Sequence, residues 1–413
     1  MANGFQNPSI FTDDALRVLF NNIVLGKKVS RKHQTEFGQP MNKIGDTLNI
    51  RRPAQFTVTS GAAYSPQDYT ETSIPLVINQ QKHIDTTFTS ADLTLKVQDF
   101  SNRVIKPKTV RLAQQIDIDC YLNAKNTVGN LTGTFGTSPN AFSFLTDIGK
   151  KLDDFSVPRD GERCYVLDQA SNAAQIGALT GFFNAQSNIA QQYKDGRFID
   201  ATDTVGLKIA MSQNLIRHTV GPLGGTPVVN GASQGLTAGW ANTGTLITNG
   251  WTASAALRVR AGDIATAVGC NSVNPVTKQN TGQLMQFCII ADGSSDASGN
   301  LTLSISPAII TAGPFQNVSA APTNAGAIVI NGTASTTYVR NLAWHPDSFE
   351  LAVVKMQNLA EFGGWGAVGS YEGFSLRTFR QAAISTDTVG TRIDGLYGVA
   401  TPYPEQATQQ VGA

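Results

Sequence analysis

Residues 260–310 read RAGDIATAVGCNSVNPVTKQNTGQLMQFCIIADGSSDASGNLTLSISPAII and form the centre of a span rich in Gly, Thr, Ser and Asn. This span, residues 220–337, has 118 positions and only six charged side chains: Arg258, Arg260, Asp263, Lys278, Asp292 and Asp296. On both sides of it the ordinary mixture of charged residues and amphipathic runs returns. We therefore predict a β-rich module inserted into a host domain that resumes after the interruption.

Within this span, apolar runs alternate with Gly, Asn and Ser turns. The runs are ALRVR, MQFCIIAD, NLTLSISPAII and AGAIVING. Short strands at such spacing are typical of a small sandwich or barrel. The sequence thus predicts an all-β, barrel-like domain at residues 222–336, and no strand is assigned over residues 221–251.

The host begins with helical patterns. A short N-terminal helix is predicted with Asp13 and Asp14 in its first turn and Gly26 at its end. Its apolar positions follow helical spacing: Leu16, Leu19, Phe20 and Ile23. A much longer helical segment follows at residues 90–126, where Ser90 suits an N-cap. Pro107 either kinks this helix or begins a second one. The apolar stripe of the segment is Leu93, Val97, Phe100, Val104, Leu112, Ile116 and Cys120.

The body of the host alternates helices and strands. An amphipathic run carries Leu145, Ile148 and Leu152, and the strand CYVLD and a helix with Ile176, Leu179 and Phe183 follow it. After the inserted module, FELAVVKM, FSLRTFRQAAI and RIDGLYGVA resume the pattern. These segments predict an α+β body that is completed only after the insertion.

Residues 47–88 have β-branched and polar alternation around a turn-rich middle. An isolated two-stranded hairpin is marginally stable in water, so we expect this one to lie on a neighbouring subunit or domain. Its charged side chains are therefore candidate intersubunit contacts, with plain solvation as the alternative. They are Arg51, Arg52, Asp68, Glu71 and Lys82.

The N-terminal region is basic, although the net charge of the whole chain is only +1. Residues 1–53 hold eight Lys and Arg against four acids. The run Lys27, Lys28, Arg31 and Lys32 is a candidate contact for an acidic partner or for nucleic acid, and a solvated helix end is the alternative. The near-neutral total excludes strong non-specific adhesion to nucleic acid by the chain as a whole.

Two patterns suggest chemistry. Gly231-Ala-Ser233-Gln-Gly235 matches the G-x-S-x-G serine motif, with Asp292 and His345 in hydrolase order, but the following residues have no helical period. Asp292, Ser294, Asp296 and Ser298 resemble half a calcium loop, but Ala297 and Leu303 stand where Gly and Glu are needed. We predict turns at both places, and no catalytic residue, metal or cofactor.

Cysteine and histidine spacing gives no metal site either. The four cysteines are far apart without a C-x-x-C pair, which predicts reduced, unpaired thiols, and the four histidines are equally dispersed.

The first residues have no signal-peptide pattern, and no run approaches the roughly 18 apolar residues of a membrane span. We therefore expect synthesis in a cytoplasm and no membrane contact.

The order of these segments resembles the major capsid proteins of tailed phages, which share the Hong-Kong-ninety-seven fold. It is most similar to the branch with an insertion domain, typified by the coat protein of phage P-twenty-two. The resemblance is carried by residues 90–126 as the spine helix, GRFIDATDTVGLKIAMSQNL before the insertion, residues 260–310 as its core, and RIDGLYGVATPYPE as the closing segment.

The resemblance implies a structural protein without catalytic residues, many copies of which close as hexamers and pentamers into an icosahedral shell around double-stranded DNA. It implies a scaffolding protein and a portal ring as partners, weak non-specific contact with the packaged DNA, and assembly in the host bacterial cytoplasm. The basic run would then bind the scaffold or the genome.

The resemblance also implies a division into domains. These are an N-terminal arm (1–46), the E-loop (47–88), the P-domain with its spine helix (89–142), the first part of the A-domain (143–221), the insertion (222–336) and the closing A- and P-domain segments (337–413).

Two other functions remain as alternatives. A surface or secreted adhesin is favoured by the Gly/Thr/Asn-rich module, but it is disfavoured by the missing signal peptide and by the long helix. A serine hydrolase rests on Ser233 alone.

Overall fold

The computed structural model describes residues 8–37, 47–67, 71–89, 104–178, 206–235, 239–359, 365–383 and 385–412. By its contacts the chain divides into two units. The first unit comprises residues 1–50, 75–120 and 350–400, and the second comprises residues 51–74, 121–349 and 401–413.

The described residues contain four α-helices: α1 Pro8–Asn22, α2 Lys106–Thr127, α3 Ser143–Asp154 and α4 Gln169–Ala178. The strands are β1 Thr47–Arg52, β2 Thr72–Val77, β3 Gln80–Thr89, β4 Leu131–Thr132, β5 Cys164–Leu167, β6 Lys208–Met211, β7 His218–Thr219, β8 Gly225–Val229, β9 Gly244–Trp251, β10 Leu257–Val259, β11 Ile264–Val273, β12 Asn280–Ile289, β13 Gly293–Ser294, β14 Leu301–Ser306, β15 Ile328–Ile330, β16 Thr337–Tyr338, β17 Arg340–Trp344, β18 Glu350–Val354, β19 Trp365–Tyr371, β20 Phe374–Ala383, β21 Thr388–Ala400 and β22 Ala407–Val411.

The first unit is built on an antiparallel sheet in the order β18-β21-β20-β19, and β3 also pairs with β21. Helix α1 packs on this sheet, where Thr12 Oγ1 lies 2.7 Å from Thr378 Oγ1. A Cβ on Gly369 would stand 2.9 Å from Leu16 Cδ1, so glycine allows the helix to approach β19 this closely.

Helix α1 differs from its prediction at one end. Its described part already includes Pro8, five residues before Asp13, so the prediction that Asp13 and Asp14 form its first turn is wrong.

Helix α2 confirms the second half of the predicted long helix. Leu112, Ile116 and Cys120 are buried, and Pro107 is the second residue of α2, which Val104 and Ile105 precede with π-helical geometry. The buried Asp117 accepts hydrogen bonds from Val24 N (2.8 Å) and Gly26 N (3.1 Å), which holds the chain that follows α1. The part predicted at Ser90, Leu93, Val97 and Phe100 lies outside the described residues.

In the second unit, a five-stranded mixed sheet has the order β4-β22-β17-β5-β6. The predicted strand CYVLD corresponds to β5, whose four residues Cys164–Leu167 are all buried. The predicted apolar face of α3, Leu145, Ile148 and Leu152, is buried in the same hydrophobic cluster as Tyr165 of β5.

The inserted segment forms a six-stranded antiparallel sheet in the order β15-β11-β12-β14-β9-β8. A bridge between Val228 and Ala327 joins its two edges, so the sheet is nearly closed. The chain enters through β7 and leaves through β16, and these short strands pair side by side, Tyr338 opposite His218. The predicted α+β class with an inserted barrel-like domain is confirmed. No helix within the described ranges is long and apolar enough to cross a membrane.

Candidate interaction surfaces

The most exposed apolar side chains of the described residues lie between strands β1 and β2, within the predicted E-loop. Strands β1 and β2 form a two-stranded sheet, and residues 53–67 between them, here called the E-loop tip, have no regular secondary structure. Within the tip, Val58 is 99% exposed and Tyr64 is 91% exposed. Gln67 Oε1 accepts a hydrogen bond from Thr57 N (2.9 Å), which ties the two sides of the tip together. These two exposed side chains make the tip a candidate surface for binding another molecule.

The adjacent cations Arg51 and Arg52 have opposite environments. Arg51 is 78% exposed, and its Nη1 lies 3.3 Å from Glu71 Oε2, a pair open to solvent. Such exposed pairs contribute only about 0–1 kcal/mol each. Of the other candidates in this group, Asp68 lies outside the described residues. Lys82 Nζ lies 3.7 Å from the Asp119 carboxylate.

Arg52 is 4% exposed and is held inside the second unit. Its guanidinium stacks between the rings of Trp240, at 4.2 Å, and Tyr403, at 4.4 Å. Nη1 donates to Pro402 O (3.2 Å), and Nη2 donates to the Glu405 carboxylate. Arg52 thus fixes the base of the E-loop to the segment after β21, and its contacts are made within its own chain.

The basic run after α1 is partly engaged in the first unit. Lys27 Nζ lies 4.4 Å above the Phe20 ring, and the Arg31 guanidinium lies 4.9 Å from the Phe374 ring centroid. Arg31 also donates to Glu372 O, and burial lowers its pKa. Lys28 is half-buried, and Lys32 is exposed. Of these four candidate cations, Lys32 is therefore the most accessible to a partner.

The residues of the serine-motif hypothesis have other structural roles. Ser233 lies between strands β8 and β9 with φ +54°, whereas the hydrolase motif needs a strand followed by a helix. Gln234 Oε1 accepts from Ile247 N (2.7 Å), so this turn is tied to β9. His345 Nε2 pairs with Asp160 at 3.0 Å, and Asp292 accepts from Ala261 N at 2.8 Å.

The calcium-loop pattern is a turn, as predicted. Asp296 Oδ1 accepts from Ser298 N and Asn300 N, each at 2.8 Å, and this closes the turn between β13 and β14. Within the described part of the chain, no group of His, Cys, Asp and Glu could hold a metal ion. All four cysteines are buried, and none of them forms a disulfide.

The role of a buried carboxylate within the inserted segment, Asp263, was not identified from the sequence. Asp263 is fully buried; its Oδ1 lies 2.7 Å from His218 Nε2, and its Oδ2 accepts from Gly221 N (3.1 Å) and Arg260 N (2.8 Å). It therefore holds the residues through which the chain enters the barrel. The sequence offered one sign of this role, because Asp263 is one of only six charged residues in the span 220–337. A buried charge in such a span needs a specific partner.

A family model described as "P22 coat protein - gene protein 5" matches residues 1–412. A structure from Mycobacterium phage Che8 is similar with 12% sequence identity and a TM-score of 0.51, covering 94% of this chain and 90% of that one. The capsid structure of Cyanophage P-SCSP1u has 10% identity and a TM-score of 0.47, with coverage of 95% and 88%. The Che8 likeness shows a shared fold. No curated protein sequence matches the chain.

Proposed function

The chain belongs to the P22 coat protein family and is a major capsid protein of a tailed phage, and we propose that it builds its shell by docking the E-loop tip onto a neighbouring copy. Membership of this family implies self-assembly into an icosahedral shell and a place in the virion capsid. The family is structural, and we assign no catalytic residue. The adhesin and hydrolase alternatives are set aside on this ground.

The exposure of Val58 and Tyr64 carries the docking proposal. Both side chains are almost wholly open in the isolated chain, on a segment with little internal packing. Covering an apolar side chain of this size contributes roughly 2 kcal/mol. A single contact of that strength is weak, but a closed shell would contain one such contact for every subunit. The docking site on the neighbouring copy would cover both side chains.

The charged candidates divide into two roles under this proposal. Arg51 and Glu71 lie exposed at the base of the tip and would set the register of the contact with the neighbour. Asp68 and Lys82 are proposed in the same role. Arg52, which is enclosed by its own chain, would aim the tip without touching the neighbour.

The remaining partners are also proposed. Subunits would group as hexamers and pentamers and assemble in the host bacterial cytoplasm with a scaffolding protein and a portal ring, and the finished shell would hold double-stranded DNA by weak contact. Lys28 and Lys32, with smaller parts for Lys27 and Arg31, would bind the scaffold or the genome by charge.

The proposed domains are the arm (1–46), E-loop (47–88), P-domain (89–142), A-domain (143–221), insertion (222–336) and closing segments (337–413). The pairing of β7 with β16 next to residues 222 and 336 supports the insertion bounds.

Electron microscopy and sedimentation of the chain, expressed with its scaffold, test the docking proposal. The variant Val58→Ser with Tyr64→Ser should leave the monomer folded by circular dichroism and strongly reduce the yield of shells. Val276→Ser is the matched control, because Val276 is an exposed apolar residue of the insertion. It should assemble like the wild type. Normal shells from the double variant would refute the docking role of the tip.

A further inference from the structure

Arg340, the first residue of β17, has a buried side chain without a hydrogen-bond partner in the described structure. It is 4% exposed, and Nε, Nη1 and Nη2 all lack an acceptor. Its guanidinium carbon lies 5.1 Å from the centre of the Phe135 ring, which is a cation–π contact. A guanidinium has five N–H donors, and leaving buried donors of a charged group unpaired costs several kcal/mol. An acceptor is therefore missing from this site.

The charges around Arg340 do not balance. Burial lowers the pKa of Arg340 to about 10, which leaves it charged at neutral pH. Lys125 is a second cation nearby, with its Nζ 3.4 Å from His218 Nδ1. Asp263 is the buried carboxylate of this group, and both of its oxygens are already used by His218 and by the backbone of Gly221 and Arg260.

Two further titratable neighbours, Cys288 and His218, are neutral. Burial raises the pKa of the Cys288 thiol to about 12, so the thiol stays protonated at neutral pH. Burial also lowers the pKa of His218 below its usual 6.5, so this imidazole is uncharged at neutral pH. Two cations thus face one buried carboxylate. A second carboxylate that acts on Lys125, Asp292, is exposed and accepts from Ala261 N, so the buried group of side chains carries an excess positive charge.

A small cavity adjoins Arg340 and can hold the missing acceptor. It is lined by Arg340, Lys125, Asn341 and Gln409, together with apolar side chains that include Leu215 and Leu342. Gln409 Nε2 donates to Lys125 O (3.1 Å) and Val128 O (2.8 Å), which fixes this amide, and its Oε1 has no partner within the described residues.

We propose that this cavity binds one small monovalent anion, with the charge and size of chloride, between the Arg340 guanidinium and the Lys125 ammonium. A water molecule could accept from Arg340 and donate to Gln409 Oε1, but it would leave the positive charge uncompensated. The anion would join β17 to the end of α2 beside the entry of the inserted domain. This site is independent of the E-loop and of shell formation.

Thermal unfolding of the purified full-length chain tests the proposal. Unfolding is compared in sodium chloride, sodium bromide and sodium gluconate at equal ionic strength, because gluconate is too large for the cavity. At a halide concentration ten times the dissociation constant, the unfolding equilibrium constant should fall about elevenfold. The melting temperature in either halide should then exceed that in gluconate by about 2 °C.

Two variants separate the site from general salt effects. Arg340→Met removes the charge and keeps an unbranched side chain, and the difference between halide and gluconate should shrink to whatever salt effect is general. Arg159→Met is the matched control, since Arg159 is an exposed arginine of the same unit, and it should keep the wild-type difference. Should Arg340→Met fail to fold, the wild-type comparison still decides. Equal melting temperatures of the wild type in chloride and gluconate, or an unchanged difference in Arg340→Met, would overturn the anion site and leave a water there.

Discussion

Replacing Arg52 should have a much larger effect on folding than replacing its neighbour Arg51. Arg52→Ala removes two stacking contacts, on Trp240 and Tyr403, and a charge-assisted hydrogen bond to Glu405. Desolvated cation–π contacts contribute roughly 1–2 kcal/mol each, and a hydrogen bond to a charged group about 1.5–3 kcal/mol. Glu405 is a quarter exposed, so water can reach it after the change. We therefore expect a loss of about 3 kcal/mol in the free energy of unfolding.

Arg51→Ala should cost less than about 1 kcal/mol, because Arg51 is exposed and its pair with Glu71 is open to solvent. Arg52→Lys should not restore stability, since an ammonium cannot stack as a planar guanidinium between two rings. Urea unfolding of the monomer, followed by tryptophan fluorescence, measures all three variants at an unchanged m-value. Similar losses for Arg51→Ala and Arg52→Ala would refute the assignment of Arg52 as an internal clamp.

Three further predictions concern other parts of the chain. Lys28→Ala with Lys32→Ala should weaken co-assembly with an acidic scaffold and make it less sensitive to salt, and equal scaffold incorporation at low and high salt in both proteins would count against this role. Residues 222–336 expressed alone should give a β-type circular dichroism spectrum and a cooperative melting transition, because the sheet closes through Val228 and Ala327; a disordered fragment would contradict it. Cys270 and Cys288 should resist a thiol reagent up to pH 9 in the folded chain. Because unfolded thiols ionise near pH 9 and these two have a pKa of about 12, stability should fall as pH rises from 9 toward 12, and a flat stability profile over that range would refute their burial.

The inserted domain shows what can be predicted from local pattern and what cannot. Strands such as β12 and β14 have dense β-branched and apolar runs, so their identity is visible in the sequence. Strands β8 and β9, GTPVV and GTLITNGW, are rich in Gly, Thr and Asn and were not predicted. They are strands because of their partners, since β9 pairs with β14 and β8 completes the sheet. Strand preference depends on pairing and burial as much as on composition.

The candidate contacts show the same limit. Alternation along β1 predicts that Arg51 and Arg52 point to opposite faces, but it does not say which face is enclosed. That depends on Trp240 and Tyr403, which are far away in the sequence. The charge imbalance at Arg340 was equally hidden, because Lys125, Asp263 and Arg340 are brought together only by the fold.

Hydrogen–deuterium exchange of the E-loop tip, measured in the free chain and in assembled shells, tests the central claim most directly. The tip has no regular secondary structure in the isolated chain, so residues 53–67 should exchange rapidly there. In shells, docking onto a neighbouring copy should slow exchange of the same residues by at least tenfold, whereas the exposed turn around Val276 serves as an internal reference. Equally rapid exchange of residues 53–67 in both states would contradict the claim that this tip joins one subunit to the next.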